Sequence, residues 1–233
     1  MGKRGGTKHQ KRAAVSKSVP ITDKKKSTWA VKDCPGPHNG RYCIPLGMLL
    51  RDILGVTKTK RETSRVLSGR MITVDGKTRV NEKFPVGLMD VIEFPSAGKH
   101  YRIVVKEKGR LYPVEVSKDD TKKKILKVVK KHSGKGNKII LTFHDGRNVF
   151  GDNNIRVGDS VIFDLSSGKI KDVLKLQKGA RCLIVEGKHA GLIAKLEDVK
   201  EKEGMKPQAT LKGKEEFITV AGYLLVVDDS FKV

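Results

Sequence analysis

Cysteine, aromatic side chains and long apolar runs are scarce in this 233-residue chain, and each shortage excludes something. Three cysteines (Cys34, Cys43, Cys182) are odd in number and unpaired in spacing, so no disulfide framework is expected and a reducing compartment is. Cys34, His38 and Cys43 offer no Cys-x-x-Cys pair and fall short of the tetrahedral set that a structural zinc takes, so no metal is assigned. Aromatics make up 5% of the residues with one tryptophan, Trp29, too few for the stacking platforms that single-strand readers rely on. No apolar run approaches the roughly 18 residues of a membrane span. The opening Met1-Gly-Lys-Arg-Gly-Gly has no apolar stretch of a signal peptide, so a cytoplasmic protein is expected.

Catalytic constellations are missing too. The histidines His9, His38, His100, His132, His144 and His189 sit in basic or turn contexts, without recurrent carboxylate partners. Neither a Gly-x-x-x-x-Gly-Lys-Ser/Thr loop nor a Gly-x-Gly-x-x-Gly fingerprint occurs. Asp52 falls in a helix where an exposed position is expected, and His144 beside Asp145 in a turn makes no dyad. The residues predict no enzyme, no cofactor and no small-molecule substrate.

What is present is positive charge. Lysine and arginine number 49 against 26 acidic residues, a formal +23 with a pI near 10.0. Such an excess opposes compaction unless a polyanion offsets it. Residues 1–32 carry ten basic side chains against the single acid Asp23, whereas residues 186–233 carry eight basic against nine acidic. The polyanion contact is therefore expected in the front and middle of the chain. Duplex RNA hides its base edges in a deep groove and is gripped through phosphates and shape, which suits a chain rich in Lys and Arg and poor in aromatics.

Periodicity predicts a basic N-terminal extension (1–42), an αβ module (43–95), a mainly β segment (96–172) and a small barrel (173–233). The extension is too polar to offset its ordering entropy, so it is expected to be mobile until it meets phosphate. Cys34-Pro-Gly-Pro-His-Asn-Gly40 forms a stiff turn that either presents His38 to a phosphate or steers the chain onward. A helix starts at Pro45, runs to about Leu54 and stops at Gly55; Thr57 or Thr59 caps a second. On that second helix Arg61 and Arg65 lie one turn apart and, with Lys58, Lys60 and Arg70, form a compact cationic patch. Asp75-Gly76 marks a hairpin. A third helix is expected from Asp119 or Asp120 to about Lys131, with Ile125, Leu126, Val128 and Val129 inward. Its lysine face (Lys122, Lys123, Lys124, Lys127, Lys130, Lys131) is either solvated or on RNA.

Several strings together resemble a known family: Thr73-Val-Asp-Gly-Lys-Thr-Arg79, Phe84-Pro85, Gly87-Leu-Met-Asp-Val-Ile92, Lys8-His-Gln-Lys-Arg12, Gly36-Pro-His38, Leu50-Arg51 and His144-Asp-Gly-Arg147. In this order, along nearly the whole chain, they are similar to the archaeal and eukaryotic small-subunit ribosomal protein S4e family. The resemblance implies an α+β, multi-module fold: the basic arm, an S-four-type αβ RNA-binding module, a mainly β central domain, and a C-terminal KOW (SH3-like) small β-barrel. It implies a structural constituent of the small ribosomal subunit, monomeric there, bound to small-subunit rRNA and beside neighbouring ribosomal proteins, with no membrane partner. The alternative is a free RNA-binding assembly or regulatory factor, which would leave ribosomes at moderate salt. On matching positions the RNA grip maps to Lys8, His9, Arg12, Gly36, Pro37, His38, Arg51, Arg61 and Arg65. The candidate contacts are completed by Lys3, Arg4 and Lys11 in the extension, Lys77 and Arg79 in the hairpin, and Lys188 and His189 between Gly187 and Gly191. Two positions depart from the family pattern: Ala194 stands where a further glycine is common, and Gly146 where an alanine is.

Overall fold

A computed structural model describes residues 7, 9–134, 136, 138–200, 204, 206–213, 216–228 and 231. It is mostly β with few helices, an α+β multi-domain arrangement of two compact units: residues 1–103 with 111–115, and 104–110 with 116–233.

In unit one the basic extension forms a short ribbon, β1 (Gln10–Lys11) against β2 (Trp29–Ala30). Its described part is anchored, contrary to the expectation of a segment with nothing to bury. Val15, Val19 and Ile21 are buried, and Arg12 is only 4% exposed. After β3 (Cys43–Pro45) comes a helical stretch, α1 (Leu46–Met48), which widens into a π-type turn over Leu49–Ile53. Of the apolar face that the sequence offers (Leu46, Leu49, Leu50, Ile53, Leu54), the first three are fully buried and Ile53 and Leu54 half-buried, and Gly55 ends the stretch at φ +66°.

Helix α2 (Lys60–Ser68) starts at Thr59, whose hydroxyl accepts the Glu62 N–H at 3.2 Å. In return the Glu62 carboxylate accepts the N–H groups of Lys58 (2.8 Å) and Thr59 (3.4 Å), closing a capping box. These bonds, that from Lys58 first, hold the Glu62 carboxyl below its ordinary pKa. Thr57, the other capping candidate, is buried with its hydroxyl 2.8 Å from that of Thr63.

The strands β4 (Thr73–Val74) and β5 (Lys77–Thr78) are joined by Asp75 and Gly76 at φ +52° and +71°, the primed geometry that matches strand twist. Then β6 (Pro85–Gly87) pairs with β3, and β7 (Val91–Phe94), β8 (Lys99–Lys106) and β9 (Arg110–Glu115) complete a sheet of order β5-β4-β7-β8-β9. Phe94 faces Lys99 across the β7–β8 hairpin, so the division expected after residue 95 falls in that turn.

Unit two holds two antiparallel sheets. The first comprises β10 (Lys123–Ser133), β11 (Ile139–Phe143), β12 (Asn148–Gly151), β13 (Ser160–Asp164) and β14 (Lys169–Leu174), in the order β12-β11-β10-β13-β14. The helix expected over 119–131 is thus a strand, preceded by a single 3-10 turn at Asp120–Lys122. Its apolar doublets, 125/126 and 128/129, fit a helical face. However, β-branched Ile125, Val128 and Val129 suit a strand at least as well, and pairing on both sides settles the matter. Leu126, Val128, Leu141, Phe143, Ile155, Val161 and Phe163 form its core.

The second sheet comprises β15 (Arg181–Ile184), β16 (Ile193–Lys200), β17 (Gln208–Lys212), β18 (Glu216–Val220) and β19 (Leu224–Val226), in the order β18-β17-β16-β15-β19. Its separate core includes Cys182, Ile184, Leu196, Leu211 and Ala194. The alanine that replaces a common glycine is therefore a packed core residue. No helix of the described residues is long and apolar enough to cross a membrane.

Candidate nucleic-acid interface

The capping box fixes the start of α2, and its 3.6-residue turn sorts the side chains. Thr63 and Leu67 go inward while Lys60, Arg61 and Arg65 stay exposed, with Lys58 just ahead of the helix. The helix closes through Arg70, whose N–H reaches the Leu67 carbonyl (3.0 Å) while the Met71 N–H reaches that of Val66 (3.4 Å). This closure places Arg70 at φ +55°, a conformation that favours glycine. Lys60 lies 3.3 Å from Glu82, an exposed pair worth little in water. No described hydrogen bond or ion pair neutralises the guanidinium groups of Arg61, Arg65 or Arg70. Of the five cations expected as one patch, Lys60, Arg61 and Arg65 lie on α2, with Lys58 just ahead of the helix and Arg70 just past its end.

Other expected contacts are placed differently. Arg12 is buried, donating to Asp52 at 3.1 Å and, through Nε, to the Asp23 carbonyl at 2.8 Å. Asp52, expected in solvent, has a side chain 8% exposed and also accepts from Arg51 at 3.2 Å. A cation within a run of cations looks like surface, and nothing local reveals a carboxylate forty residues downstream. His38 faces inward as well: its Nε2 lies 2.9 Å from Asp90 Oδ2, with both side chains buried, and Asp90 also accepts the Gly87 N–H at 2.9 Å. A Cβ on Gly87 would stand 2.4 Å from the imidazole ring, so the ring is seated on that glycine. Gly36 packs just as tightly on the Pro85 ring, with Pro37 half-buried beside it. The Cys34–Gly40 turn therefore locks onto β6 and the start of β7, and it does not turn His38 outward.

His9 and Lys11 are exposed, and the His9 ring stands 5.7 Å from Trp29. Lys3, Arg4 and Lys8 lie outside the described residues. Lys77 is exposed on β5, while Arg79 lays its guanidinium 4.3 Å over the Phe84 ring. In unit two Lys188 is exposed, and His189 stacks on Phe217 at 4.5 Å. Of Cys34, His38 and Cys43, Cys43 is buried, with burial pushing its thiol up to about 12, His38 is on Asp90, and Cys34 is half-buried with its sulfur 3.8 Å from Asn81 Nδ2.

Unit two also corrects the reading of the lysine face. Lys124 is fully buried, 3.3 Å from Asp145, which also accepts from Arg147 Nε (3.0 Å) and from the Arg147 N–H (3.1 Å). The His144–Arg147 string is thus the charged plug of a core, with Gly146 at φ +78° closing its turn. Lys127 is half-buried and donates to the Gly222 carbonyl at 2.6 Å. Burial, against weaker opposing effects of Cys182 and Glu186, draws its ammonium pKa from 10.5 to about 8. Between those values the unfolded chain holds a proton that the folded chain does not, so this site's contribution to stability rises with pH across the window. Below pH 8 the full penalty of a buried charge applies. Lys127→Met is expected to raise the urea midpoint at about pH 7.5, with the gain shrinking at about pH 9.5. An equal gain at both values would contradict the assignment.

Both buried cations among the described residues, Arg12 and Lys124, are thus matched by buried carboxylates, while Arg61 and Arg65 of α2 face outward with no counter-charge among the described residues. That distribution, on a mostly β multi-domain scaffold, defines a class of basic modular binding protein. The family model described as ribosomal family S4e matches residues 97–170. The chain is 40% identical over 221 residues to the small ribosomal subunit protein eS4 of Archaeoglobus fulgidus, covering 94% of this chain and 92% of that one. To the eS4 protein of Methanosphaera stadtmanae it is 38% identical over 229 residues, 97% and 95% of the two chains. The crystal structure of the 30S ribosomal protein S4e from Thermoplasma acidophilum matches with a TM-score of 0.71 at 33% identity, over 81% of this chain and 96% of that one. The chain belongs to the ribosomal family S4e, as its central string led one to expect.

Proposed function

We propose that this protein is a structural constituent of the small ribosomal subunit that holds folded rRNA through phosphate contacts, with neighbouring ribosomal proteins beside it. The observation that carries the reading is the division of its cations. Those inside are paired with carboxylates, whereas Arg61 and Arg65 on α2 have no counter-charge among the described residues and are open to an external polyanion. The role is binding rather than catalysis and needs no cofactor; the protein acts as a cytoplasmic monomer within the subunit.

In this reading residues 43–95 are the S-four-type module, with Lys58, Lys60, Arg61, Arg65 and Arg70 as its grip. Residues 173–233 are the KOW-type SH3-like barrel. The latter is supported by Gly187 and Gly191, both at φ +93°, which shape the turn carrying Lys188 and His189. Each phosphate neutralised adds about 0.7–0.9 to the slope of log affinity against log salt. Replacing Arg61 and Arg65 together by alanine is expected to weaken binding to small-subunit rRNA and to lower that slope by up to about two. An unchanged slope would place the contact elsewhere.

A further inference from the structure

We infer that Trp29, with His9 beside it, is a stacking site for an unpaired nucleobase of the bound RNA. The inference deepens the RNA-binding reading and rests on it. A grip made only of phosphate contacts has no use for an indole, and the chain has one tryptophan in all. That tryptophan is 57% exposed, with the His9 ring tilted at 57° to it, 5.7 Å away.

The side chain is held out by a pinned backbone. Lys11 is its direct partner across the β1–β2 ribbon, the Arg12 N–H donates to the Thr28 carbonyl at 3.0 Å, and the Ser27 hydroxyl donates to the Trp29 carbonyl at 3.1 Å. The Arg12 side chain then roots the ribbon on Asp52. Next to His9, the Lys32 ammonium donates to the Thr7 carbonyl. A platform held this way loses little freedom when a ring settles on it.

The surroundings select the kind of ring. Asp23, the single acid of residues 1–32, already accepts the N–H groups of Lys25 and Lys26, and the chain on either side of the indole is cationic, with Lys11 directly across the ribbon and Lys24, Lys25, Lys26 and Lys32 within five residues in sequence. A planar group carried on a phosphate chain fits both features: the base lies on the indole and its phosphates lie among the lysines. Cation-bearing or apolar protein surfaces match only one of them.

The test uses the full chain and two RNAs: a hairpin with a single-stranded tail of about eight adenosines, within the usual site size, and the same hairpin blunt-ended. Trp29 is the only indole, so its emission reports directly on this site. The tailed RNA is expected to quench that emission. Trp29→Ala is expected to weaken the tailed RNA by about 5- to 150-fold while leaving the blunt hairpin unchanged, and Trp29→Phe to retain most of the affinity. Unaltered emission while both RNAs bind, or a Trp29→Ala protein that binds the tailed RNA as before, overturns the stacking site and leaves the RNA-binding reading standing. Failure of the unaltered chain to bind either RNA overturns both.

Discussion

Asp145→Asn is expected to cost about 3–5 kcal/mol of stability in unit two, because it removes a carboxylate charge 3.3 Å from the ammonium of a fully buried lysine. Lys124 is 0% exposed on the central strand of its sheet, and its ammonium meets Asp145 at 3.3 Å. Asp145 in turn is 3% exposed and carries two further bonds from Arg147, one from the side chain and one from the backbone. The amide keeps the oxygen that caps the Arg147 N–H but supplies no charge. The asymmetry of the site gives a second expectation. Lys124→Met leaves Asp145 still served by Arg147 and costs less, and the double change Lys124→Met with Asp145→Asn should recover much of the single-variant loss. Trp29 lies in unit one, so its fluorescence does not report this event; the measurement is hydrogen exchange of the β10 and β11 amides. Protection unchanged in Asp145→Asn would show that Lys124 does not depend on this carboxylate.

The case of Lys124 also shows where the sequence was legible and where it was not. Features decided within a few residues could be read directly: the Asp75-Gly76 hairpin, the cap at one of two threonines, and the cationic face of α2. Their geometry is set by local φ preferences and by a hydroxyl three residues from its donor. Features decided by distant partners could not. Lys123–Ser133 reads as an amphipathic helix until β11 and β13 pair with it, and only that pairing takes one lysine of a supposed polar face fully inside. Arg12 and His38 went the same way, because their carboxylates lie 40 and 52 residues along the chain. The residues shared with the family therefore divide into two physical kinds. Arg61 and Arg65 face outward, while Arg12, His38 and Asp145 hold the scaffold together. Sharing a residue with a binding family does not by itself make it a contact.

Gly191→Ala separates those two kinds within unit two. A Cβ at Gly191 would stand 2.3 Å from the Lys106 carbonyl carbon and 2.8 Å from the Glu107 nitrogen, and backbone atoms cannot swing aside as a side chain does. The position also sits at φ +93°, where an L-residue pays about 1–2 kcal/mol. Overpacking adds about 1–3 kcal/mol, for a total of about 2–5 kcal/mol. Gly187 is the matched control: it has the same φ of +93° on the same turn, but its nearest neighbour is Tyr223 at 3.6 Å, an ordinary contact. Gly187→Ala should therefore show the conformational part alone, and the difference between the two variants is the steric part. The Gly191 N–H donates to the Ile184 carbonyl at 2.8 Å, so a displaced residue 191 pulls on the end of β15. The measurement is the urea midpoint of each variant, with exchange of the β15 and β16 amides to localise the loss. Equal midpoints for the two variants would mean that the approach to Lys106 is looser than described, and the turn bearing Lys188 and His189 would then be shaped by backbone preference alone.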